Sequence, residues 1–314
     1  MKILITGGYG FIGSHFIKYI LSKYADYKII NLDNISYCAN LKNLKCIENN
    51  KNYTFIKGDI TDTQTVENAA KDVDWIVNFA AESHVDNSIN NPKIFAKTNI
   101  EGTINLLNAA KKFNIKKFLQ ISTDEVYGAN KEGYFDENQP LNPNNAYSIS
   151  KASADMYAIN YFKTYGTPVL ITRSSNNYGE NQYPEKLIPF FIKKLLNNEK
   201  VTVYGNGLQK RDWLYVKDNC EAIDIVLHKG QIGEIYNVSS HTEKTNLEVT
   251  KYILNCLNKP EDMIEFVKDR PQHDTRYGIS NDKIKRLGWK NRYDFEESLN
   301  KTIEWNINNS DYFN

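Results

Sequence analysis

The chain has 314 residues, of which 41% are hydrophobic and 25% are charged, and its formal net charge is +1. This length and composition exclude a disordered chain and suit one large domain or two closely packed domains. The small net charge predicts no nucleic-acid or membrane partner, and the absence of a secretory signal and of a long apolar run predicts a cytoplasmic protein that acts on small molecules.

Six short apolar runs rich in Ile, Val and Phe recur along the first half of the chain. They are KILIT, KIINLD, YTFIKGD, WIVNFA, KKFLQIS and PVLITR, and the segments between them are long enough for helices. Runs without polar alternation are typical of strands in a parallel sheet that is covered on both faces. The sequence therefore predicts an α/β domain with a doubly wound parallel sheet, of the Rossmann type, over residues 1–173.

After about residue 174 the alternation of strands and helices breaks into shorter pieces. Four prolines and a Gly-Asn-Gly turn interrupt the pattern. We expect residues 174–314 to form a smaller, mixed α/β domain that binds the substrate. Segments near 211–240 are expected to return to the first domain, so the two parts share a cleft.

A glycine-rich turn, GGYGFIG, joins the first strand to the apolar spacing of a helix. Glycines permit a tight turn and the close approach of a pyrophosphate, and the amides at the start of the helix stabilise its charge. This arrangement predicts a dinucleotide site. The residues of the turn expected to contact the cofactor are Gly7, Gly10, Phe11, Ile12 and Gly13.

Two carboxylates follow the second and third strands. Asp33 lies twenty residues beyond Gly13, where it can accept hydrogen bonds from an adenosine ribose and would repel a ribose phosphate, which favours NAD over NADP. Asp59 is placed to bond the adenine amino group. The other cofactor-lining residues expected are Ile60 and Ala80. In the alternative interpretation the glycines only form a turn and Asp33 only caps a loop.

Tyr147 and Lys151 lie four residues apart on a predicted helix, so their side chains share one face. A nearby cation lowers the pKa of a tyrosine, which would make the phenolate a usable base for a hydroxyl group. The same spacing also describes a solvated helix stripe. The catalytic interpretation is favoured because the fifth strand delivers Thr123, Asp124 and Glu125 at the sheet edge where ligands bind.

With GGYGFIG, NFAAESHVD, ISTDEVYG and YSISK in that order, the chain resembles the extended short-chain dehydrogenases. Within that superfamily it is similar to the nucleotide-sugar 4,6-dehydratases, above all to dTDP-glucose 4,6-dehydratase. The likeness continues through RSSNNYGENQYPEKLIP, YGNGLQKRDWLYVKD, GEIYNVSS and DRPQHDTRYGIS and covers nearly the whole chain. It implies bound NAD, oxidation of the hexose at C4, loss of water across C5 and C6, and return of the hydride to C6.

The resemblance assigns a role to each of the five candidate catalytic residues. Tyr147 removes the proton of the C4 hydroxyl, Lys151 holds the nicotinamide ribose and tunes the phenol, and Thr123 bonds the C4 oxygen. Elimination needs a base at C5 and an acid for the departing hydroxyl, and two carboxyl groups in different environments can divide these tasks. The resemblance makes Glu125 the base and Asp124 the acid. Alternatively, the two acids only cap the loop after the strand.

A nucleoside diphosphate needs cations and amide donors, and arginine offers it a bidentate fork. The resemblance implies that Asn176, Arg211, Asn246 and Arg270 lie near the diphosphate. It implies that Tyr204 and Tyr277 lie along the nucleotide and that Ser83 lies near the sugar. The candidate substrate-binding residues are Ser83, Asn176, Lys186, Tyr204, Arg211, Asn246, Arg270 and Tyr277.

Three short departures from the family pattern lie in predicted substrate-binding segments. Gly179-Glu180-Asn181-Gln182 stands in place of Gly-Pro-Tyr-Gln, and Gln272 and Thr275 stand where Gly and Arg are usual. They leave open whether the substrate is dTDP-glucose, UDP-N-acetylglucosamine, UDP-glucose or another activated hexose.

Three other functions share parts of this pattern. A nucleotide-sugar 4-epimerase needs no acid and base pair for C5 and C6, so Asp124 and Glu125 argue against it. A UDP-glucuronate decarboxylase needs a pocket for a carboxylate, which the sequence does not identify. A protein that only senses NAD would not need the catalytic residues that this chain retains.

The four cysteines are scattered without the spacing of a zinc site or a disulfide framework, so no metal is predicted. The segments Thr103 to Ala110 and Tyr147 to Tyr161 are apolar enough to pack against more than their own sheet. In the superfamily these helices form a dimer interface, so a homodimer is expected. Plain burial in the core is the alternative.

Overall fold

The computed structural model describes residues 1–269 and 274–313. The strands in this part of the chain are β1 (Lys2–Thr6), β2 (Lys28–Asp33), β3 (Tyr53–Lys57), β4 (Trp75–Asn78), β5 (Lys117–Thr123), β6 (Val169–Ser174), β7 (Asn176–Tyr178), β8 (Val201–Tyr204), β9 (Lys210–Tyr215), β10 (Ile235–Val238), β11 (Glu243–Thr245) and β12 (Ile264–Val267).

The α-helices of the described residues alternate with these strands. They are α1 (Phe11–Lys23), α2 (Thr63–Ala70), α3 (Val85–Asn90), α4 (Pro92–Phe95), α5 (Gly102–Lys112), α6 (Ala146–Tyr165), α7 (Leu187–Leu196), α8 (Val216–Lys229), α9 (Asn246–Cys256), α10 (Asp282–Arg286) and α11 (Phe295–Asn308). A π-helical segment, Ala96–Glu101, joins α4 to α5. In the part of the chain that the structure covers, no helix is both long and apolar enough to cross a membrane.

Seven strands form the main sheet in the order β10-β6-β5-β4-β1-β2-β3. Every neighbouring pair is parallel. The strand order reverses between β1 and β4, and a ligand crevice is expected outside the carboxyl ends of the strands at that point. The predicted doubly wound parallel sheet is confirmed.

The apolar runs form buried strands because both faces of the sheet are covered. In β1, Ile3 and Ile5 belong to one hydrophobic cluster and Leu4 belongs to another, and all three side chains are fully buried. Helices α1 and α8 contribute to the first cluster, and α2 and α5 contribute to the second. Successive side chains of a strand point to opposite faces, so a continuous apolar run fills two cores.

The second half of the chain forms two small sheets and returns once to the main sheet. Strands β11, β9 and β7 form a mixed three-stranded sheet, and β12 pairs with β8. Strand β10 pairs with β6, so residues 235–238 lie in the main sheet. The division into domains at residue 173 stays a prediction.

A buried ion pair ties β5, β6 and α6 together beneath the carboxyl end of the sheet. The Nε of Arg173 lies 2.9 Å from Oδ2 of Asp155, and both side chains are almost completely buried. The hydroxyl of Ser122 donates to the same carboxylate oxygen at 3.0 Å, and Arg173 Nη1 donates to the hydroxyl of Tyr127 at 2.8 Å. These partners offset part of the cost of burying two charges, although Oδ1 of Asp155 has no hydrogen-bond partner among the described residues, and they hold the three elements in one arrangement.

Candidate active site

A cavity of about 330 Å³ lies along the carboxyl ends of β1, β2, β4, β5 and β6. It reaches from the glycine-rich turn to the start of α7, which is the edge expected for ligands in a sheet of this topology. The predicted site residues that line it are Gly7, Gly10, Phe11, Ile12, Gly13, Asp33, Ile60, Ala80, Ser83, Thr123, Asp124, Glu125, Tyr147, Lys151, Asn176 and Lys186.

The glycine-rich turn leaves the start of α1 open to the cavity. Gly7 has a φ of +68°, and a Cβ at this residue would lie 2.7 Å from the backbone nitrogen of Ala80. A Cβ at Gly13 would collide with the carbonyl oxygen of Gly7. Gly10 precedes the helix and provides no side-chain cap, so the first amides of α1 are available to a phosphate. The turn fits the pyrophosphate of a dinucleotide.

Asp33 is placed so that the two roles that the sequence left as alternatives are compatible. One carboxylate oxygen accepts a hydrogen bond from the amide of Tyr9 and the other accepts one from the amide of Ile35, both at 2.8 Å. The carboxylate thus caps the glycine-rich turn and also lines the cavity. Each oxygen keeps a lone pair for a ribose hydroxyl. Burial raises the pKa of Asp33, and the two amide hydrogen bonds oppose that shift.

Asp59 lies beside the cavity but does not line it. Its carboxylate accepts hydrogen bonds from the amide of Thr61 at 2.8 Å and from Nδ2 of Asn34 at 3.1 Å. The cavity lining includes the neighbouring residues Gly58 and Ile60. The contact of Asp59 with adenine stays a prediction.

Tyr147 and Lys151 are positioned by a firmly capped helix. The side chain of Asn145 accepts a hydrogen bond from the amide of Ser148 at 2.9 Å, and Ser148 Oγ accepts one from the amide of Asn145 at 3.2 Å. This capping box fixes the start of α6 next to Tyr147. Nζ of Lys151 donates to the carbonyl oxygen of Ile121 at 2.6 Å.

The structure corrects the expected pKa of Tyr147. Burial raises the pKa of the phenol well above its ordinary value, the charge of Glu125 raises it further, and only the hydrogen bond with Thr123 opposes these effects. The ammonium of Lys151 does not outweigh them, since burial lowers the pKa of Lys151 to about 8 and Nζ bonds the backbone. The neutral phenol is therefore the stable form of Tyr147 in the protein by itself.

Asp124 and Glu125 occupy a 3-10 turn directly after β5. Thr123 caps this turn: its hydroxyl accepts a hydrogen bond from the amide of Glu125 at 3.3 Å and donates to Asp124 Oδ1 at 3.2 Å. Asp124 Oδ2 is buried and has no hydrogen-bond partner among the described residues. A buried oxygen without a partner is costly unless it carries a proton or meets a ligand.

The two carboxyl groups have different environments. Burial, followed by the charges of Glu125 and Asp212, raises the pKa of Asp124 well above its ordinary value. Burial also raises the pKa of Glu125, but the cations of Lys186 and Arg211 oppose the shift. Asp124 thus retains its proton more strongly than Glu125, which suits the first to act as an acid and the second as a base.

Three predicted substrate-binding residues, Ser83, Asn176 and Lys186, line the cavity. Nζ of Lys186 donates to the carbonyl oxygen of Ser83 at 2.7 Å, and both residues line the cavity. Asn176 lines it as well, and its Oδ1 is buried without a hydrogen-bond partner in the described structure. The cation of Lys186 and the amide of Asn176 therefore both belong to the lining of this cavity.

Four other predicted substrate-binding residues lie outside the lining. The guanidinium of Arg211 lies 4.7 Å from the ring centroid of Tyr277, and Nη2 of Arg211 donates to the carbonyl oxygen of Asp274 at 3.0 Å. Tyr204 ends β8 and Asn246 begins α9. Arg270 and Gln272 fall outside the described residues. The roles of all these residues stay predictions.

Residues 180 and 181, where the chain departs from the family pattern, lie outside the cavity lining, and the effect of this departure on substrate contacts stays a prediction. The carboxylate of Glu180 accepts hydrogen bonds from the hydroxyl of Tyr215 at 2.8 and 2.9 Å and pairs with Lys217 at 3.2 Å. Asn181 bonds Asn43 and Tyr312. Gln182, which the family pattern shares, lines the cavity. Thr275 is also outside the lining, and its backbone carbonyl oxygen accepts a hydrogen bond from the amide of Lys210 at 2.8 Å.

Several lining residues were not predicted from the sequence. Ser175 and Asn177 belong to the RSSNNYGENQ motif, so membership in that motif could have found them. Tyr183 also lines the cavity and belongs to the longer stretch RSSNNYGENQYPEKLIP, whereas Cys38 lines it and belongs to none of the motifs. Asn99 lies behind the site in the π-helical segment, and its Nδ2 donates to the hydroxyl of Ser150 at 2.8 Å.

In residues 1–269 and 274–313, no group of three or more His, Cys, Asp or Glu side chains could hold a metal ion.

The family model of GDP-mannose 4,6 dehydratase matches residues 4–302 of this chain. A curated relative, the low-salt glycan biosynthesis protein Agl12 of Haloferax volcanii, is 48% identical over 305 residues, which cover 97% of this chain and 98% of the relative.

Two solved structures resemble this one over nearly their whole lengths. The dTDP-glucose 4,6-dehydratase of Bacillus anthracis, in complex with NAD, is 49% identical, has a TM-score of 0.92, and the match covers 99% of this chain and 98% of that chain. The dTDP-glucose 4,6-dehydratase DesIV of Streptomyces venezuelae, also with NAD bound, is 41% identical, has a TM-score of 0.98, and the coverage is again 99% and 98%.

Proposed function

The chain belongs to the GDP-mannose 4,6-dehydratase family, and on that premise we propose that it converts dTDP-glucose to the 4-keto-6-deoxy sugar. It is an NAD-dependent hydro-lyase of the nucleotide-sugar 4,6-dehydratase type. The choice of dTDP-glucose is supported by the two solved dehydratases, which share 41% and 49% of their residues with this chain.

The observation that carries the proposal is the pair of unequal carboxyl groups beside Tyr147. Asp124 and Glu125 line the same cavity as Tyr147 and Lys151, and burial raises the pKa of Asp124 the more strongly. Oxidation alone needs only the tyrosine and the lysine. An acid and a base next to them supply the groups that elimination of water requires.

The first step is the oxidation of the hexose at C4. When bound, NAD accepts the hydride from C4 and later returns it to C6. Tyr147 accepts the proton of the C4 hydroxyl while the hydroxyl of Thr123 bonds the C4 oxygen. Lys151, whose Nζ donates to the carbonyl oxygen of Ile121, is assigned to hold the nicotinamide ribose, and the hydrogen bond from Thr123 is the contact that favours the ionised form of Tyr147.

The second step removes water from C5 and C6. The C4 ketone makes the C5 proton acidic, and Glu125 takes that proton. Asp124 gives its proton to the C6 hydroxyl, which leaves as water, and a double bond forms between C5 and C6. Glu125 then returns its proton to C5. Tyr147 has gained one proton and Asp124 has lost one, so transfer of one proton between them through solvent would restore both residues, and the reaction consumes no external oxidant.

The proposed function predicts a specific product. Incubation of the purified protein with dTDP-glucose is expected to yield a sugar nucleotide lighter by one water, with the absorbance that 4-keto-6-deoxy sugars develop in alkali. UDP-glucose and UDP-N-acetylglucosamine are the matched competitors, and mass spectrometry of each reaction gives the product.

The outcomes separate the alternatives. Epimerised sugar without loss of water from any activated hexose would contradict a dehydratase. Loss of water from a UDP-hexose with a higher kcat/KM than from dTDP-glucose would contradict the proposed nucleobase and leave the reaction type standing.

We also propose that the protein is a homodimer that joins through α6. On this helix Ile149, Met156 and Tyr157 share one face and are 49%, 63% and 42% exposed. Ile94, on the neighbouring helix α4, is 41% exposed. An exposed apolar patch of this kind marks a protein interface, and a self-complementary face is the usual basis of a two-fold dimer.

The proposed dimer predicts that a charge introduced on this face of α6 disrupts the association of the two subunits. Met156→Glu is expected to convert the protein to monomers because it would bury two like charges near the two-fold axis. Sedimentation equilibrium measures the mass. Ile307→Glu, on an exposed position of α11, is the control and should leave the dimer intact. A wild-type monomer, or a dimeric Met156→Glu variant, would refute the proposed interface.

A cytoplasmic location is the last part of the proposal. All four cysteines, Cys38, Cys46, Cys220 and Cys256, are free thiols. Free thiols suit a reducing compartment. We therefore expect that none of the four cysteines is found in a disulfide in cell extracts.

A further inference from the structure

Three polar side chains from distant parts of the chain form a closed triangle of hydrogen bonds at the edge of the site. Nδ2 of Asn181 donates to Oδ1 of Asn43 at 2.8 Å and to the hydroxyl of Tyr312 at 2.9 Å. The hydroxyl of Tyr312 in turn donates to Oδ1 of Asn43 at 2.9 Å. Both asparagines are buried. We call these three residues the Asn43-Asn181-Tyr312 triangle.

One corner of the triangle is attached to the cofactor-binding turn. Nδ2 of Asn43 donates to the carbonyl oxygen of Tyr9 at 2.8 Å, and Tyr9 lies in the glycine-rich turn. The amide of Tyr9 donates to Asp33, which lines the cavity. The backbone of Tyr312 is also held here, since Nδ2 of Asn40 donates to its carbonyl oxygen at 3.0 Å.

A second corner is attached to the opposite wall of the cavity. Asn181 has a φ of +67°, and the next two residues, Gln182 and Tyr183, line the cavity. An asparagine tolerates this left-handed conformation better than most residues do. The ring of Phe313 meets the ring of Tyr183 edge to face, with 5.5 Å between centroids. Residues 312 and 313 therefore contact both the corner and the wall.

The three residues of the triangle are far apart in the sequence, so the triangle is a tertiary contact and does not belong to any one local element. Asn43 and Asn181 are 138 residues apart, and Asn181 and Tyr312 are 131 residues apart. None of the three lines the cavity. Their contacts nevertheless join the glycine-rich turn to the part of the lining formed by Gln182 and Tyr183, which we take as the substrate-side wall.

We propose that Tyr312 is a positioning residue that sets the distance between the NAD-binding turn and the substrate-side wall, through Asn43 and Asn181. Its hydroxyl bonds both asparagines, so its loss leaves the hydrogen bond from Asn181 to Asn43 as the one remaining side of the triangle, and the distance between the turn and the wall is held less firmly. The inference concerns the holding of NAD and rests on the proposed function only for its effect on the sugar nucleotide. A misplacement of about 1 Å at such a site can lower the rate by about 10²-fold.

Tyr312→Phe removes the hydroxyl and keeps the ring. We expect NAD to leave the holoenzyme about tenfold faster than from the wild type, the size expected for loss of one or two buried hydrogen bonds. The measurement follows the release of labelled NAD after addition of excess unlabelled NAD. The KM for the sugar nucleotide is expected to rise by a similar factor, because the wall carrying Gln182 and Tyr183 loses its support.

Two comparisons distinguish positioning from a general loss of stability. Tyr252→Phe removes another tyrosine–asparagine hydrogen bond, to Asn300 on α11 at 3.1 Å, away from the cavity, and should leave NAD release unchanged. Asn181→Gly keeps the left-handed backbone and removes the amide. Because both changes break the same triangle, Tyr312→Phe combined with Asn181→Gly should release NAD no faster than the worse single variant.

Equal NAD release from the wild type and Tyr312→Phe would overturn the inference. So would fully additive effects of the two substitutions, since additivity would mean that they act separately. NAD release is measured without substrate, so it tests the triangle even if the sugar nucleotide proves to be different from the one proposed.

Discussion

Tyr147→Phe is expected to abolish the oxidation of the hexose and to lower kcat by about 10²–10⁴-fold, the contribution usual for a positioned general base. The substitution removes the only atom of this side chain that can accept the C4 proton. It preserves the ring, which meets Phe95 edge to face with 6.5 Å between centroids. The fold and the affinity for NAD should therefore change little.

The measurement is a single turnover of the NAD-bound enzyme with sugar nucleotide, monitored by the absorbance of reduced cofactor. We expect a transient rise for the wild type and none for Tyr147→Phe. Tyr165→Phe, at an exposed position near the end of the same helix, is the matched control and should behave as the wild type does. Reduced cofactor formed by Tyr147→Phe at the wild-type rate would disprove the assigned role.

Glu125→Gln is expected to separate the two halves of the reaction. Glutamine has nearly the shape of glutamate and can still bond Nδ2 or Oδ1 of Asn145, whose Nδ2 lies 3.4 Å from Oε2 of Glu125. It cannot accept the C5 proton. Hydride abstraction from C4 should therefore proceed while elimination of water falls by about 10²–10⁴-fold.

In the single-turnover experiment, Glu125→Gln should form reduced cofactor and hold it, because no C6 acceptor develops. Quenching should trap a 4-keto hexose that has kept its C6 hydroxyl, and mass spectrometry identifies it. Glu67→Gln, in a surface pair with Lys112, is the control. Equal loss of both steps in Tyr147→Phe and Glu125→Gln would show that the two residues do not divide the work as proposed.

The catalytic environment explains why the two variants should differ. Charge repulsion from Glu125 raises the pKa of Tyr147, so removal of that charge in Glu125→Gln favours the phenolate. Oxidation of C4 is thus expected to be preserved or faster in Glu125→Gln. The same substitution removes a contribution that raises the pKa of Asp124, which weakens its hold on the proton.

The sheet and the glycine-rich turn could be predicted because their signals are local. The apolar runs at β1 and β5 are strands buried on both faces, and the pattern within five to seven residues is enough to recognise them. The same holds for Asp33, which is located by its distance along the chain from Gly13. The catalytic residues could be placed because strand β5 ends at Thr123 and the edge of a parallel sheet collects such ends.

Contacts between distant segments could not be predicted in this way. The position of Glu180 and Asn181 away from the cavity depends on Tyr215, Lys217 and Tyr312, none of which is a neighbour in sequence. A sequence pattern indicates the secondary structure that a segment prefers, whereas the direction of a loop side chain depends on the residues that it contacts in the fold.

The sequence by itself determined the parallel sheet, the dinucleotide turn and the chemical types of the catalytic groups, because hydrophobic periodicity and residue spacing act over a few residues. Only the tertiary structure decided the protonation of those groups and the shape of the cavity. Burial and the charges of Glu125 and Asp212 control the pKa of Asp124, and these are set by packing across the whole chain. The triangle that joins Asn43, Asn181 and Tyr312 exists only after the fold brings its three corners together.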